Sequence, residues 1–463
     1  MKPITLQQVR QAVAGRSLAP LKPDMPPVRA VCTDTRAMLP QSLFIAISGE
    51  SFDAHQFLKQ AADGGAIAAI VQHEPVDPIP GLTVIKVDDT RKALGKLAKF
   101  VRQQLTNTKV IAVAGSNGKT GTKHLIDAVL KTRLRGSVSP KSFNNDIGVP
   151  LTILPADPSQ DYIVLEMGTN HHGEIRVLTE MAMPDIGVIT NCSAEHLEGL
   201  TDLAGVRREN ASLTMGMNAK GLLIVNGDDP DLLAAVAPFP GRKLTFGLSK
   251  SCDLFATDIV CTAEGTRFKL NGSRLELFVP LLGKHNAVNA LAAVAVARRL
   301  GLSDQHIVEG LQQVQGPDMR LQRRMIGEVL IINDAYNANP ASMHAAIDVL
   351  ASLPCTGRRI AVLGQMNELG ATHDHYHREI GAAAASAGID RLVCIADGGR
   401  LLADAATAAG MSADRVEHFA DSAAAAGAVA AMLSPGDIVL LKASRTIALE
   451  KIAQAITERL GGA

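Results

Sequence analysis

Val110-Ile-Ala-Val-Ala-Gly115-Ser116-Asn117-Gly118-Lys119-Thr120-Gly121-Thr122 decides how this chain is read. An apolar, β-branched run of strand length ends at a glycine turn, and an amphipathic segment from about Lys123 to Leu134 follows. Strand, glycine turn and helix in that order point backbone N–H groups at phosphates. In such a loop Lys119 reaches the outer phosphates and the Thr120 hydroxyl sits on Mg²⁺. The generic phosphate loop has a glycine five positions before Gly118, where this chain has Val113, so the pattern is the shorter Gly-x-x-Gly-Lys-Thr.

Outward from that loop, the bulk numbers bound the answer. A length of 463 residues suggests about three domains. Basic and acidic residues balance at 46 each, so no net field recruits nucleic acid or an anionic membrane. Trp is absent and 3% of residues are aromatic, which argues against a stacking platform for single strands. Cys32, Cys192, Cys252, Cys261, Cys355 and Cys394 show no Cys-x-x-Cys spacing and read as reduced thiols of a cytosolic protein. There is no signal segment, and no apolar run approaches ~18 residues, so a cytoplasmic chain without membrane insertion is expected.

The expected architecture is α/β in three domains: a small N-terminal α/β domain over 1–106, a central P-loop-type parallel sheet over 107–315 and a Rossmann-like domain over 316–463. In the first, Leu6, Val9 and Val13 share a helical face that Gly15 can stop, and Gly49 to His55 is a polar loop. Arg36 is either a fork of donors for a diphosphate or one half of a surface ion pair, the simpler reading of its local sequence. In the second, buried-type strands end on Glu166, Asn191 and Asn226, at the edge where parallel sheets bind ligands. Beside a phosphate loop, Glu166 suits Mg²⁺, directly or through water, and His196 is a further candidate. Asn286 either caps the Ala-rich helix that follows Gly283 or reads a base. In the third, a strand ends on Asn333-Asp334-Ala-Tyr336-Asn337-Ala-Asn339-Pro340, three polar groups at one edge and good start chemistry for a helix.

Six stretches, in this order, resemble the Mur ligase family of peptidoglycan synthesis over nearly the whole chain: Gly115 to Thr120, Asn144-Asn145-Asp-Ile-Gly-Val-Pro-Leu-Thr152, Glu166-Met-Gly168, His196-Leu-Glu-Gly199, Asp334 to Pro340 with Ser342-Met343, and Lys442-Ala-Ser444-Arg445. The resemblance implies an ATP- and Mg²⁺-dependent amide ligase. ATP phosphorylates the terminal carboxylate of a UDP-N-acetylmuramoyl tripeptide, and the amine of D-alanyl-D-alanine attacks the acyl phosphate. It also implies roles. Lys119 and the loop from Gly115 to Gly121 hold phosphates; Thr120, Glu166 and His196 arrange Mg²⁺. Asn286 and Asn289 lie near the adenine, while Arg320, Asp334 and Tyr336 reach the nucleotide from the third domain. Thr35 and Arg36 belong to the UDP-sugar site, and Asn144, Asn145, Asn337, Asn339, Lys442, Ser444 and Arg445 to the remaining substrate contacts. Substrates spread over three domains imply closure before chemistry, in a monomer.

Three departures from the family stand out. A catalytic lysine, whose carbamate supports a second Mg²⁺, usually follows the histidine by fourteen residues; that position is Asn210, which cannot form a carbamate. Either Glu209 or a water-held metal then substitutes, or the second metal binds weakly, or activity is low. Gln365 stands where an aspartate is usual, and Asn191-Cys-Ser-Ala-Glu195 where Asn-x-Gly-Pro-Ala is usual. The alternatives are a weakened or sister ligase of the folylpolyglutamate synthase type, or a UDP-muramoyl-peptide binder without catalysis.

Overall fold

A computed structural model describes residues 1–49, 52–273 and 275–461. Glu50 and Ser51, within the polar loop expected at 49–55, lie outside the described residues. The chain builds three sheets. The first runs Arg16–Ser17, Thr83–Lys86, Ala66–Val71, Ser42–Ile45, Ala30–Cys32, parallel except for its first strand. Its Leu6–Val13 helix ends on Ala14 at φ 54°, so the left-handed residue is Ala14 and not Gly15. Gly15 is needed for a different reason: a Cβ there would meet Ile85 at 2.6 Å.

The central sheet runs Gly136–Val138, Tyr162–Glu166, Lys109–Ala114, Ile186–Ile189, Leu222–Asn226, Arg242–Gly247 and Leu254–Cys261, all parallel. The antiparallel strands Thr266–Leu270 and Glu276–Val279 extend it, so the sheet is mixed rather than wholly parallel. The cause is visible in the alternation of Thr266, Phe268 and Leu270 inward with Arg267 and Lys269 outward, a one-sided strand pattern. The third sheet runs Gln322–Ile326, Val329–Asn333, Ile438–Lys442, Arg359–Gly364, Arg391–Ile395 and Val416–Phe419, parallel beyond its first strand.

The helix Thr90–Gln104 ties the first sheet to the second. Leu94, Leu97, Ala98 and Val101 share one core with Val149, Ile153 and Met181. Its buried Arg102 donates to the carbonyls of Ala182 and Met183 and pairs with Asp185 at 3.0 Å. The short stretch Thr106 to Thr108 therefore links two units that pack on each other.

Candidate active site

Parallel pairing of Lys109–Ala114 with Tyr162–Glu166 and Ile186–Ile189 brings three strand ends to one edge, with Val113 opposite Glu166 and Ala114 opposite Ile189. The turn after Ala114 requires glycine twice. Gly115 has φ +128° and a Cβ there would overlap Thr190 Oγ1; Gly118 has φ +81° and a Cβ would lie 2.8 Å from the Asn289 amide. The helix starts at Lys119 itself, four residues earlier than the amphipathic pattern suggested. Its first N–H groups, which have no intrahelical partner, thus open directly beyond the glycines.

The next strand end braces this loop. Ser116 N–H donates to the Asn191 carbonyl at 2.8 Å, and Asn117 N–H to Asn191 Oδ1 at 3.0 Å. Thr190 Oγ1 donates to the Asn117 carbonyl at 2.6 Å. Lys119 Nζ folds back on the carbonyls of Gly115 and Ser116, at 2.5 and 2.9 Å, and can swing from them to a phosphate.

Glu166 is buried at the centre of the edge and accepts from Thr120 Oγ1 at 2.9 Å, Lys123 Nζ at 2.9 Å and Asn144 Nδ2 at 3.0 Å. Burial alone would raise its carboxyl, but the Lys123 ammonium holds it below the usual range. Lys123 is a site residue that the sequence reading missed. It sits one helical turn after Lys119, the spacing that puts two side chains on one face, and that was the available signal. Asn145 instead accepts from the N–H groups of Ile147 and Gly148, shaping the turn into the helix Gly148–Ile153.

Mg²⁺ suits this donor set. A hydroxyl and a carboxylate oxygen lie together beside a phosphate loop, and Mg²⁺ takes one or two protein oxygens plus phosphate and water. Among the described residues no group of three acidic, His or Cys side chains forms a ready cage. His196, at φ 48°, has its contacts elsewhere: Nδ1 meets Glu368 of the third domain, and Nε2 lies 3.9 Å from Glu195. The carbamate position does not suit a metal. Asn210 is buried, its Nδ2 donates to the Val206 carbonyl at 3.0 Å, and its Oδ1 has no partner. Glu209 does not replace the lost charge either. Its oxygens accept from the N–H groups of Gly173 at 2.7 Å and Ile175 at 2.8 Å, tying down the start of the helix Glu174–Ala182.

The third domain closes the cavity. Lys442 Nζ is buried on Asp334 Oδ2 at 2.6 Å and on the Asn337 carbonyl at 3.1 Å, so it holds the Asp334–Asn337 segment. Arg320 stacks over the Tyr336 ring at 4.2 Å, and Tyr336 OH donates to Ser142 Oγ at 2.8 Å. Asn339 caps the helix Pro340–Ser352 through Oδ1, while its Nδ2 donates to Asn117 Oδ1 at 2.9 Å. Asn286 lies inside its helix behind the N-cap Gly283 and donates back to the Leu282 carbonyl at 2.8 Å. Asn289 lies against Gly118.

A cavity of about 620 Å³ gathers Ser116 to Lys119, Gly121, Asn144, Glu166, His196, Asn286, Asn289, Arg320, Asp334, Tyr336, Asn337, Asn339 and Lys442. An adjoining one of about 330 Å³ adds Asn367, Glu368, Ser444 and Arg445. Glu195, also missed, lines both. Ser444 Oγ accepts from Asn367 N–H at 2.9 Å, and Arg445 pairs with Glu450 at 2.8 Å. Thr35 and Arg36 line neither cavity. Thr35 Oγ1 donates to Gln60 at 3.1 Å, and Arg36, 85% exposed, forks onto Asp34 at 2.6 Å, which is the surface ion pair.

Comparison with known proteins agrees with this geometry. Residues 27–102 match the description "Mur ligase family, catalytic domain", 113–297 "Mur ligase middle domain" and 319–445 "Mur ligase, glutamate ligase domain". The chain is 38% identical over 455 residues to the UDP-N-acetylmuramoyl-tripeptide–D-alanyl-D-alanine ligase of Bacillus subtilis, covering 98% of each chain. The crystal structure of MurF from Acinetobacter baumannii superposes with a TM-score of 0.90 at 32% identity, over 99% of each chain. That of Thermotoga maritima MurF, solved with ADP, does so with 0.83 at 25% identity, over 94% of this chain and 98% of the other. This chain belongs to the Mur ligase family.

Proposed function

We propose that the protein is an ATP-dependent ligase that joins D-alanyl-D-alanine to UDP-N-acetylmuramoyl-tripeptide, with ADP and phosphate as by-products, in cytoplasmic peptidoglycan precursor synthesis. The meeting in one cavity of the phosphate loop with the Asp334–Asn339 segment of another domain carries this reading. Phosphoryl transfer to a carboxylate needs positioning and charge neutralisation more than covalent help, and the cavity offers both. The loop N–H groups and Lys119 hold the β- and γ-phosphates. Thr120, Glu166 and His196 would arrange Mg²⁺, with Thr120 and Glu166 holding the ion at the loop and His196 standing beside them, and the bound metal would offset phosphate charge. Asn286 and Asn289 stand beside the loop for the base. Arg320, stacked on Tyr336, adds positive charge from the far wall, with Asp334 set by Lys442.

The acyl phosphate forms on the tripeptide carboxylate. The dipeptide amine then attacks, a tetrahedral intermediate forms, and phosphate leaves. Asn144, Asn337, Asn339, Ser444 and Arg445 surround the space available to the two peptides, and Thr35, Arg36 and Asn145 lie toward the nucleotide-sugar end. Domains over 1–106, 107–315 and 316–463 acting as one monomer complete the reading. Among the described residues no helix is long and apolar enough to cross a membrane.

The test is phosphate release from ATP with UDP-N-acetylmuramoyl-tripeptide and either D-alanyl-D-alanine or glutamate. Release and amide product with the dipeptide alone are expected. Nucleotide binding without product would favour a non-catalytic binder, for which the uncharged Asn210 is the motive.

A further inference from the structure

Three carboxylates near the strand edge differ in one respect. Glu166 receives three side-chain donors, and Glu209 receives two backbone N–H groups. Glu195 receives no hydrogen bond among the described residues. It is only 7% exposed and lines both cavities, and within 4.0 Å of it stand Lys119 Nζ, at 4.0 Å, and His196 Nε2, at 3.9 Å. A carboxylate so little exposed, opening on the cavity and without a hydrogen-bond donor, has oxygen positions available to a cation that comes in with a ligand.

The incoming nucleotide sharpens the problem. When Lys119 turns to the phosphates, Glu195 loses its nearest ammonium and faces further negative charge. A hard divalent cation removes the conflict, because it takes carboxylate oxygen and completes its shell with phosphate and water. His196 Nε2 lies on the same side as a further ligand, while Nδ1 is engaged by Glu368, the usual way of fixing a ligating imidazole. Asn210 cannot supply this charge and Glu209 is committed to a helix start.

We propose that Glu195, together with His196 Nε2, is a ligand for a second divalent cation that enters with the outer phosphates, apart from the ion at Thr120 and Glu166. This rests on the phosphate loop's being the nucleotide site. The probe is Mn²⁺, counted by loss of the free-ion electron paramagnetic resonance signal, with and without the non-hydrolysable β,γ-methylene analogue of ATP. The wild-type chain with the analogue should bind about two ions, as two-ion phosphoryl sites do, and Glu195→Gln about one, with Glu195→Asp keeping the second at roughly tenfold weaker affinity. A wild-type count of one, or a Glu195→Gln count equal to a wild-type count of two, overturns the proposal and leaves the Thr120–Glu166 site standing. A wild-type count of zero with the analogue overturns both. The wild-type count needs no variant to fold, and Glu195→Gln keeps the side-chain shape.

Discussion

On the floor of the cavity, Glu166 gathers Thr120, Lys123 and Asn144 and has almost no exposed surface. Across the seam to the third domain, Tyr336 meets Ser142 and Asn339 meets Asn117 by one neutral hydrogen bond each, and the His196 ring meets the half-exposed Glu368. The floor joins residues of one domain by charged, buried contacts that are complete before any ligand arrives. The seam joins partners 172, 194 and 222 residues apart by contacts that water can replace when the domains part. Each neutral bond nets only about 1 kcal/mol. A ligase that must admit three substrates and then exclude water needs this division: a rigid place for phosphates, and a cover held lightly.

The sharpest way to break the comparison is Lys119→Ala. It removes a floor group that is free to move to the phosphates, and amide formation should fall by about 10²-fold or more, read as coupled phosphate release. An unchanged rate would mean that the floor does not bind the transferring group. Glu166→Ala tests whether the floor supports itself. It strands the Lys123 ammonium in a buried place, and urea unfolding should show a loss of about 3–5 kcal/mol. The double change Lys123→Met with Glu166→Leu should recover much of that, since no unpaired charge remains.

Acid should loosen the seam before the floor. The loop that carries Glu368 is anchored by His377, whose Nε2 accepts from Met366 N–H at 2.9 Å. Burial pushes the His377 ring down to about 4 from the ordinary 6.5. The unfolded chain therefore protonates first. This contribution to stability is whole above pH 6.5 and is lost as pH falls through the window down to about 4. Denaturant midpoints at pH 7 and pH 5 should differ less in His377→Gln than in wild type. Glu166, held below its usual range, stays ionised in that window when folded. The smallest effect belongs to Tyr336→Phe. Losing its bond to Ser142 should cost about 0.5–1.5 kcal/mol at most, seen as a rise in KM for ATP with little change in melting temperature.

Much of the fold was legible. The runs Lys109–Ala114, Ala66–Val71 and Arg391–Ile395 are unbroken apolar strands because both faces of a parallel sheet are covered. The antiparallel strands after Leu254 were not read, since the alternating Thr266–Leu270 is short and lacks a continuous apolar run. Site residues on motif strings were legible, because phosphate chemistry demands glycine, lysine and threonine at set spacings. Lys123 and Glu195 were not. A lysine in a helix and a glutamate in a loop are ordinarily solvated, and nothing local says that these two are buried. Arg36 shows the converse: a motif position whose side chain, in the absence of ligand, settles on the carboxylate two residues away.

By itself, the order of residues settled the three-domain α/β plan, the phosphate loop and the family, because hydrophobic period and glycine placement act over a few residues at a time. Only the packed chain decided which charges are paired. Glu166, at a strand end, is neutralised by Lys123 of the helix Lys119–Leu130, Glu209 serves a helix start, and Glu195 is left facing the cavity, because burial and partners are set by residues far apart in sequence.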